Sequence, residues 1–245
     1  MPTSVQDPRP THAIMVTGAG STAAFIERAF PPVDGVVASV VAIAAHRGDL
    51  PAVMSALSTG VLRAREHDRA VIVGGVSFGA HAAATYASTC LGPERPDALA
   101  CVMPAWTGSP SSAAAATEET AQRLRGLGSE AVLADLRQQH PDDWIVDELL
   151  DAWPRFDPVA LAAELEAVAS CPAPSLEQLG RIRVPTAVVG LKGDPLHPIE
   201  VADAWARVIP GARGFALERA QVGAERSLLG RAAFGWLAGR ISASR

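Results

Sequence analysis

Gly74-Gly75-Val76-Ser77-Phe78-Gly79-Ala80-His81 is the stretch on which the fold turns. Before it runs the apolar, β-branched segment Ala70-Val-Ile-Val73; after it runs the Ala-rich segment Ala82-Ala-Ala-Thr-Tyr86. The first has strand character and the second helix character. Between them lies G-x-S-x-G, a spacing with a steric reason. A serine on a sharp strand-to-helix turn has a strained backbone, and its neighbours two residues away crowd one another. Glycine at 75 and 79 removes the Cβ atoms that would collide. Such a turn pushes the Ser77 hydroxyl out over the sheet edge. It also aims the Phe78 N–H, the first of the following helix, at the place where a reacting carbonyl oxygen would gather charge. A Gly-rich turn with an incidental serine is the plain alternative. Phosphate binding by the glycines is not supported, because neither G-x-x-x-x-G-K-[ST] nor G-x-G-x-x-G follows any predicted strand.

Working outward, strand-like runs alternate with helical ones. His12–Thr17 and Val36–Ala45 are predicted strands, the second so uniformly apolar that burial on both faces is expected. Ala70–Gly74, Ala98–Met103, Val184–Gly190 and Gly214–Leu217 are four more. Helices are predicted from an N-cap at Ser21 to Phe30, and over Pro51–Glu66, Phe78–Cys90, Ile199–Val208 and Glu225–Ile241. This alternation implies an α/β fold, a mostly parallel sheet with helices on both faces.

About 75 residues separate the fourth and fifth strands. They look helical from Ser111 to Gly180, with breaks at Gly126-Leu-Gly128, His140-Pro141 and Cys171-Pro-Ala-Pro174. Trp144, Leu149, Leu150 and Trp153 are spaced as one apolar helix face. The segment 109–181 is therefore expected to be a helical lid inserted into a single domain spanning 1–245.

Composition narrows the function classes. Twenty-one basic and 26 acidic residues leave a formal net charge of −5, which gives no footprint for nucleic acid or an anionic membrane. The 47 alanines and the lone lysine, Lys192, reflect genome composition bias more than function. Cys90, Cys101 and Cys171 are odd in number and widely spaced, unlike a disulfide framework or a CxxC site. Met1–Pro10 has no apolar core of a signal peptide, and Val36–Ala45 is too short to span a bilayer. A cytoplasmic location is expected.

With these elements in place, the chain resembles the α/β-hydrolase family over nearly its whole length, and Ser77-Phe-Gly-Ala-His81 looks like the elbow of lipases and esterases. The resemblance implies a nucleophile, acid, histidine order along the chain. It makes Ala19, after Thr17-Gly18, the second oxyanion donor beside Phe78, with Thr17 standing where the family usually has histidine. It makes Asp194, at the end of the fifth strand, the acid; an Asx-turn is the alternative use. The family's histidine follows the last strand, and here the chain departs from the pattern. The matching position holds Gly223-Ala224, and no histidine follows His197.

Six histidines remain to be weighed. His12 and His67 belong at the opposite end of the sheet, His46 lies toward the side, and His140 is in the lid. His81 sits on the elbow helix, where core packing suits it. His197 lies three residues after Asp194 in a loop that should border the site, so it is the candidate base, with a structural or substrate-contacting role as the alternative. Glu218 and Glu225 are weaker substitutes, since a carboxylate holds a proton less strongly than imidazole near neutral pH. Trp106 and Trp144 are candidate walls of an apolar acyl pocket, against a plain packing role for the lid helix.

The reading that follows is a serine esterase or thioesterase, using an acyl-enzyme on Ser77, a small-molecule acyl substrate and no cofactor or metal. The missing histidine keeps a second class open: a scaffold kept for binding, or a lyase or cyclase using the same pocket.

Overall fold

A computed structural model describes residues 9–243. In chain order the elements are β1 (Thr11–Val16), α1 (Ala23–Ala29), β2 (Ser39–Ile43), α2 (Leu50–Glu66), β3 (Ala70–Val76), α3 (Phe78–Thr89) and β4 (Ala98–Val102). Four helices follow: α4 (Ser112–Gln139), α5 (Trp144–Ala152), α6 (Pro158–Ser170) and α7 (Leu176–Leu179). The chain closes with β5 (Thr186–Lys192), α8 (Ile199–Val208), β6 (Arg213–Glu218), α9 (Arg219–Ala224) and α10 (Leu228–Ala243).

The strands form one six-stranded sheet, ordered β2-β1-β3-β4-β5-β6, with every pairing parallel. Each connection must therefore cross over, and the intervening helices cover both faces. One buried cluster joins the sheet to α2, α3 and α8; another joins the opposite face to α1 and α10. Parallel order also sends every strand's carboxyl end to the same edge. The connections from β1 and β3 depart to opposite sides at their shared boundary, the switch point where α/β sheets open a crevice.

Burial explains where the expectations held. β3 and β4 are buried throughout, and their near-unbroken apolar sequence is what a central parallel strand requires. The second strand carries the same signal yet is only partly buried, with Val41 46% exposed. It is the sheet's edge, so one flank has no neighbouring strand, and an apolar run does not distinguish the two cases.

Two boundaries also differ. The first helix is entered from Thr22 and not Ser21, whose N–H instead closes a turn onto the Gly18 carbonyl at 3.2 Å. The last helix, α10, begins at Leu228 and not at Glu225, and a short helix that was not expected, α9, precedes it. The expected break at Gly126-Leu-Gly128 is present within α4, where Gly128 leaves helical geometry at φ 79°, ψ 167°.

The segment between β4 and β5 is helical as expected and has a small core of its own, in which Leu124, Leu133, Trp153, Leu161 and Leu165 meet. The expected single face of α5 divides. Trp153 enters this core, while Trp144 joins the cluster under the sheet. Among the described residues no helix is long and apolar enough to cross a membrane.

Candidate active site

Ser77 sits between β3 and α3 with φ 56° and ψ −119°. That is a sparsely populated conformation for a residue bearing a Cβ, and it persists only where its surroundings enforce it. The enforcement is visible in the packing. A Cβ on Gly75 would lie 2.8 Å from the Gly79 Cα, and one on Gly79 would lie 2.8 Å from the Thr17 carbonyl oxygen, with the Val16 carbonyl nearer still. The two glycines let the turn close on itself and let α3 begin against the end of β1. The Ser77 N–H is held by the Val102 carbonyl at 2.9 Å, which ties the turn to β4.

The turn after β1 lies alongside. A Cβ built on Gly18 would stand 3.5 Å from the Ser77 Cβ. Thr17 is buried, and its hydroxyl accepts the Ala45 N–H at 3.1 Å while its own N–H reaches the Ile43 carbonyl at 2.9 Å. Thr17 thus anchors the turn to the end of β2. No hydrogen bond within the described residues engages the N–H of Ala19 or of Phe78.

Asp194 and His197 are brought together in the loop after β5. His197 Nδ1 lies 3.2 Å from Asp194 Oδ2, and the N–H groups of Leu196 and His197 donate to Asp194 Oδ1 at 3.0 and 3.1 Å. The Asp194 side chain is 1% exposed. Burial acts to raise its pKa. The hydrogen bond and charge of His197, together with the two N–H donors, act against burial and prevail, so the carboxyl sits below its ordinary value. The Asx-turn and the contact to the His197 ring coincide in one side chain, because its two oxygens have different partners. No hydrogen bond joins His197 to Ser77 among the described residues.

His81 is buried one turn beyond Ser77. Its Nε2 accepts the N–H of Ala105 at 3.0 Å, and its ring meets Trp106 edge-on at 4.7 Å. Burial, with the nearby His197 charge adding to it, pushes its pKa down to about 3. It is therefore a neutral acceptor that fixes the loop leaving β4, in keeping with its expected packing role. Trp106 leaves β4 at the expected edge and is buried beside it.

Ala224, at the position matching the family's histidine, is exposed, and the glycine before it packs against an indole. A Cβ on Gly223 would lie 2.9 Å from the Trp144 ring. Trp144 stacks on Phe25 at 6.5 Å, and the Arg226 guanidinium lies 4.4 Å over it. Arg226 also pairs with Glu148 at 2.9 Å and bonds the carbonyls of Val222 and Gly223. Arg219 pairs with Asp143 at 2.7 Å, and Arg28 with Glu148. α5 is thereby clasped to α9 and α1. Sequence reasoning missed this clasp, and it missed Glu164, whose carboxylate bonds the Gly20 N–H. Neither left a local signal, since each partner lies far away in the chain.

A cavity of about 770 Å³ opens at the β2 edge, lined by Ile14, Val41, Ile43, Ala56 and Arg63 among others. It contains neither the strained serine nor the acid–histidine pair, and shares no residue with them. No group of three or more His, Cys, Asp or Glu among the described residues is placed to hold a metal ion.

No family model matches the chain, and no curated protein does. Solved structures do. The enol-lactonase of Burkholderia xenovorans LB400 superposes with a TM-score of 0.60 at 17% identity, covering 86% of this chain and 84% of that one. MenH from S. aureus gives 0.60 at 15%, covering 87% of each chain. A thermophilic esterase from Thermogutta terrifontis gives 0.56 at 17%, covering 86% and 82%. At such identities the likeness establishes the fold: the chain has the α/β-hydrolase fold.

Proposed function

We propose that this protein is a hydrolase that cleaves a carboxylic ester or thioester of a small molecule through an acyl-enzyme on Ser77. The observation that carries the reading is the backbone of Ser77, strained at φ 56° by two glycines that admit no side chain. Strain of that kind at the carboxyl edge of a sheet marks a nucleophile better than a fold likeness does. The hydrolase and esterase neighbours agree with it.

In this reading the Ser77 hydroxyl oxygen attacks the acyl carbon. Its proton passes to His197, held in orientation by Asp194, and the N–H groups of Ala19 and Phe78 receive the oxyanion. The histidine returns the proton to the leaving alcohol or thiol. Water then repeats the sequence and frees the acid. The hydrogen bond from Ser77 to imidazole is not formed in the structure, and such bonds commonly tighten only with substrate present. We take the helices of 109–181 as a lid, with Trp106 and Trp144 walling the acyl group, within one cytoplasmic domain.

A fluorophosphonate should label Ser77, and Ser77→Ala should abolish both labelling and ester turnover. His197→Ala should lower turnover by at least about 100-fold, the scale of a lost general base. Near-normal turnover in that variant, with Ser77→Ala dead, would assign the base elsewhere.

The alanine at 224, where the family's pattern would have histidine, favours a second reading, because that position carries no imidazole. On that reading the fold serves binding, or lyase or cyclase chemistry. Absence of labelling would support the binding role. Labelling without turnover of any ester or thioester would support the lyase.

A further inference from the structure

The helical insertion reaches the active edge through one buried carboxylate. Glu164, on α6, is 9% exposed, and its Oε1 accepts the Gly20 N–H at 2.8 Å across 144 residues of sequence. Two further insertion residues close on the same glycine. Gly20 has φ 64°, and a Cβ there would lie 2.9 Å from Trp153 Nε1 and 3.1 Å from Leu161 Cδ1. Among the described residues Glu164 has no ion-pair partner. A lone buried carboxylate is expensive to desolvate. Its hydrogen bond to a backbone N–H is charge-assisted and correspondingly strong.

The turn it holds is Gly18-Ala19-Gly20, beside Ser77. With two glycines and one alanine it has almost no side-chain restraint of its own, so its peptide planes rotate at little steric cost. An oxyanion donor works only when its N–H is aimed before the reaction. The Ala19 and Gly20 N–H groups lie on consecutive peptide planes. Fixing the second restricts the dihedrals through which the first could turn away.

We propose that Glu164 is a positioning residue that holds the oxyanion turn, so that the insertion completes the hole around Ser77. Movement of α6 away from the sheet would release Gly20 and disarm the serine without touching it. This inference rests on the serine-nucleophile reading.

The test compares the wild type with E164Q and E164A, using fluorophosphonate labelling rates, kcat and KM on a p-nitrophenyl ester, thermal unfolding, and amide exchange at Gly20. Glutamine keeps an acceptor oxygen at the same place, so E164Q should label within about threefold of wild type. E164A should label about tenfold more slowly, part of the 10²–10³-fold that follows loss of a whole oxyanion donor. Its kcat should fall while KM stays within about twofold, the pattern of an interaction made only in the transition state. Exchange at Gly20, whose N–H Glu164 holds, should accelerate in E164A alone. The proposal is overturned if E164A labels at the wild-type rate, or if both variants lose labelling in proportion to lost thermal stability. A wild type that does not label contradicts the serine reading instead. The exchange arm then decides on Glu164, and unchanged exchange in E164A overturns the contact's role.

Discussion

Two single residues set terms that can be measured without knowing a substrate. Gly79 lies against the Val16 and Thr17 carbonyls. Gly79→Ala should destabilise the chain by at least about 3 kcal/mol, since a backbone atom and not a flexible side chain has to give way. Denaturant unfolding gives the value, and a loss under about 1 kcal/mol would show that the elbow is not close-packed. His81 sets a pH dependence. Its folded pKa lies below its unfolded one, so the folded state binds fewer protons. Its contribution is fully present above about pH 6.5 and is lost as pH falls toward 3. Between pH 7 and pH 5 it should remove about 2 kcal/mol of stability. His81→Gln keeps an acceptor for the Ala105 N–H and should flatten that part of the curve. Asp194 acts in the same sense but lower, its contribution present above its ordinary 3.8 and lost as pH falls through its lowered value. At this scale the sequence was legible where chemistry is local. Ser77, Gly75 and Gly79 announce their turn by spacing, and Asp194 and His197 meet across three residues. Glu164 was invisible, because a glutamate on an Ala-rich helix has the look of a solvated side chain until the Gly20 N–H is found against it.

Among the elements, α5 carries the clearest expectation. It is held by Arg219–Asp143, Arg226–Glu148, Arg28–Glu148 and the Arg226 guanidinium over Trp144. Arg226→Ala removes an ion pair whose partners are both about one-sixth exposed, two carbonyl contacts and the cation–π contact. It should cost about 1–3 kcal/mol. Limited proteolysis should then cut first near 140–155. Cutting elsewhere first would show that the clasp does not hold α5. The insertion's helices were readable from their breaks at His140-Pro141 and Cys171-Pro172, where proline interrupts a helix. The split of Trp144 and Trp153 between two clusters was not, because helical spacing gives the face and not the neighbour. The same limit applies to β2, whose apolar run suits a central strand equally well.

For the whole molecule, the sheet order β2-β1-β3-β4-β5-β6 predicts a gradient of stability from its centre outward. Hydrogen exchange should be slowest in β3 and β4, which are buried throughout and paired on both sides, and faster in β2 and β6 at the edges. Equal protection along all six strands would argue that the edges are covered. The fold class followed from alternation alone, since strand–helix repetition leaves few ways to cover a sheet. Strand order did not, because crossovers of similar length serve several orders. The proposed chemistry requires this fold to present Ser77 as an activated nucleophile. Fluorophosphonate labelling followed by peptide mass analysis reads this out without a known substrate. One adduct is expected, on the peptide carrying Ser77 and absent from Ser77→Ala. An unlabelled wild type, or an adduct on another residue, would contradict it.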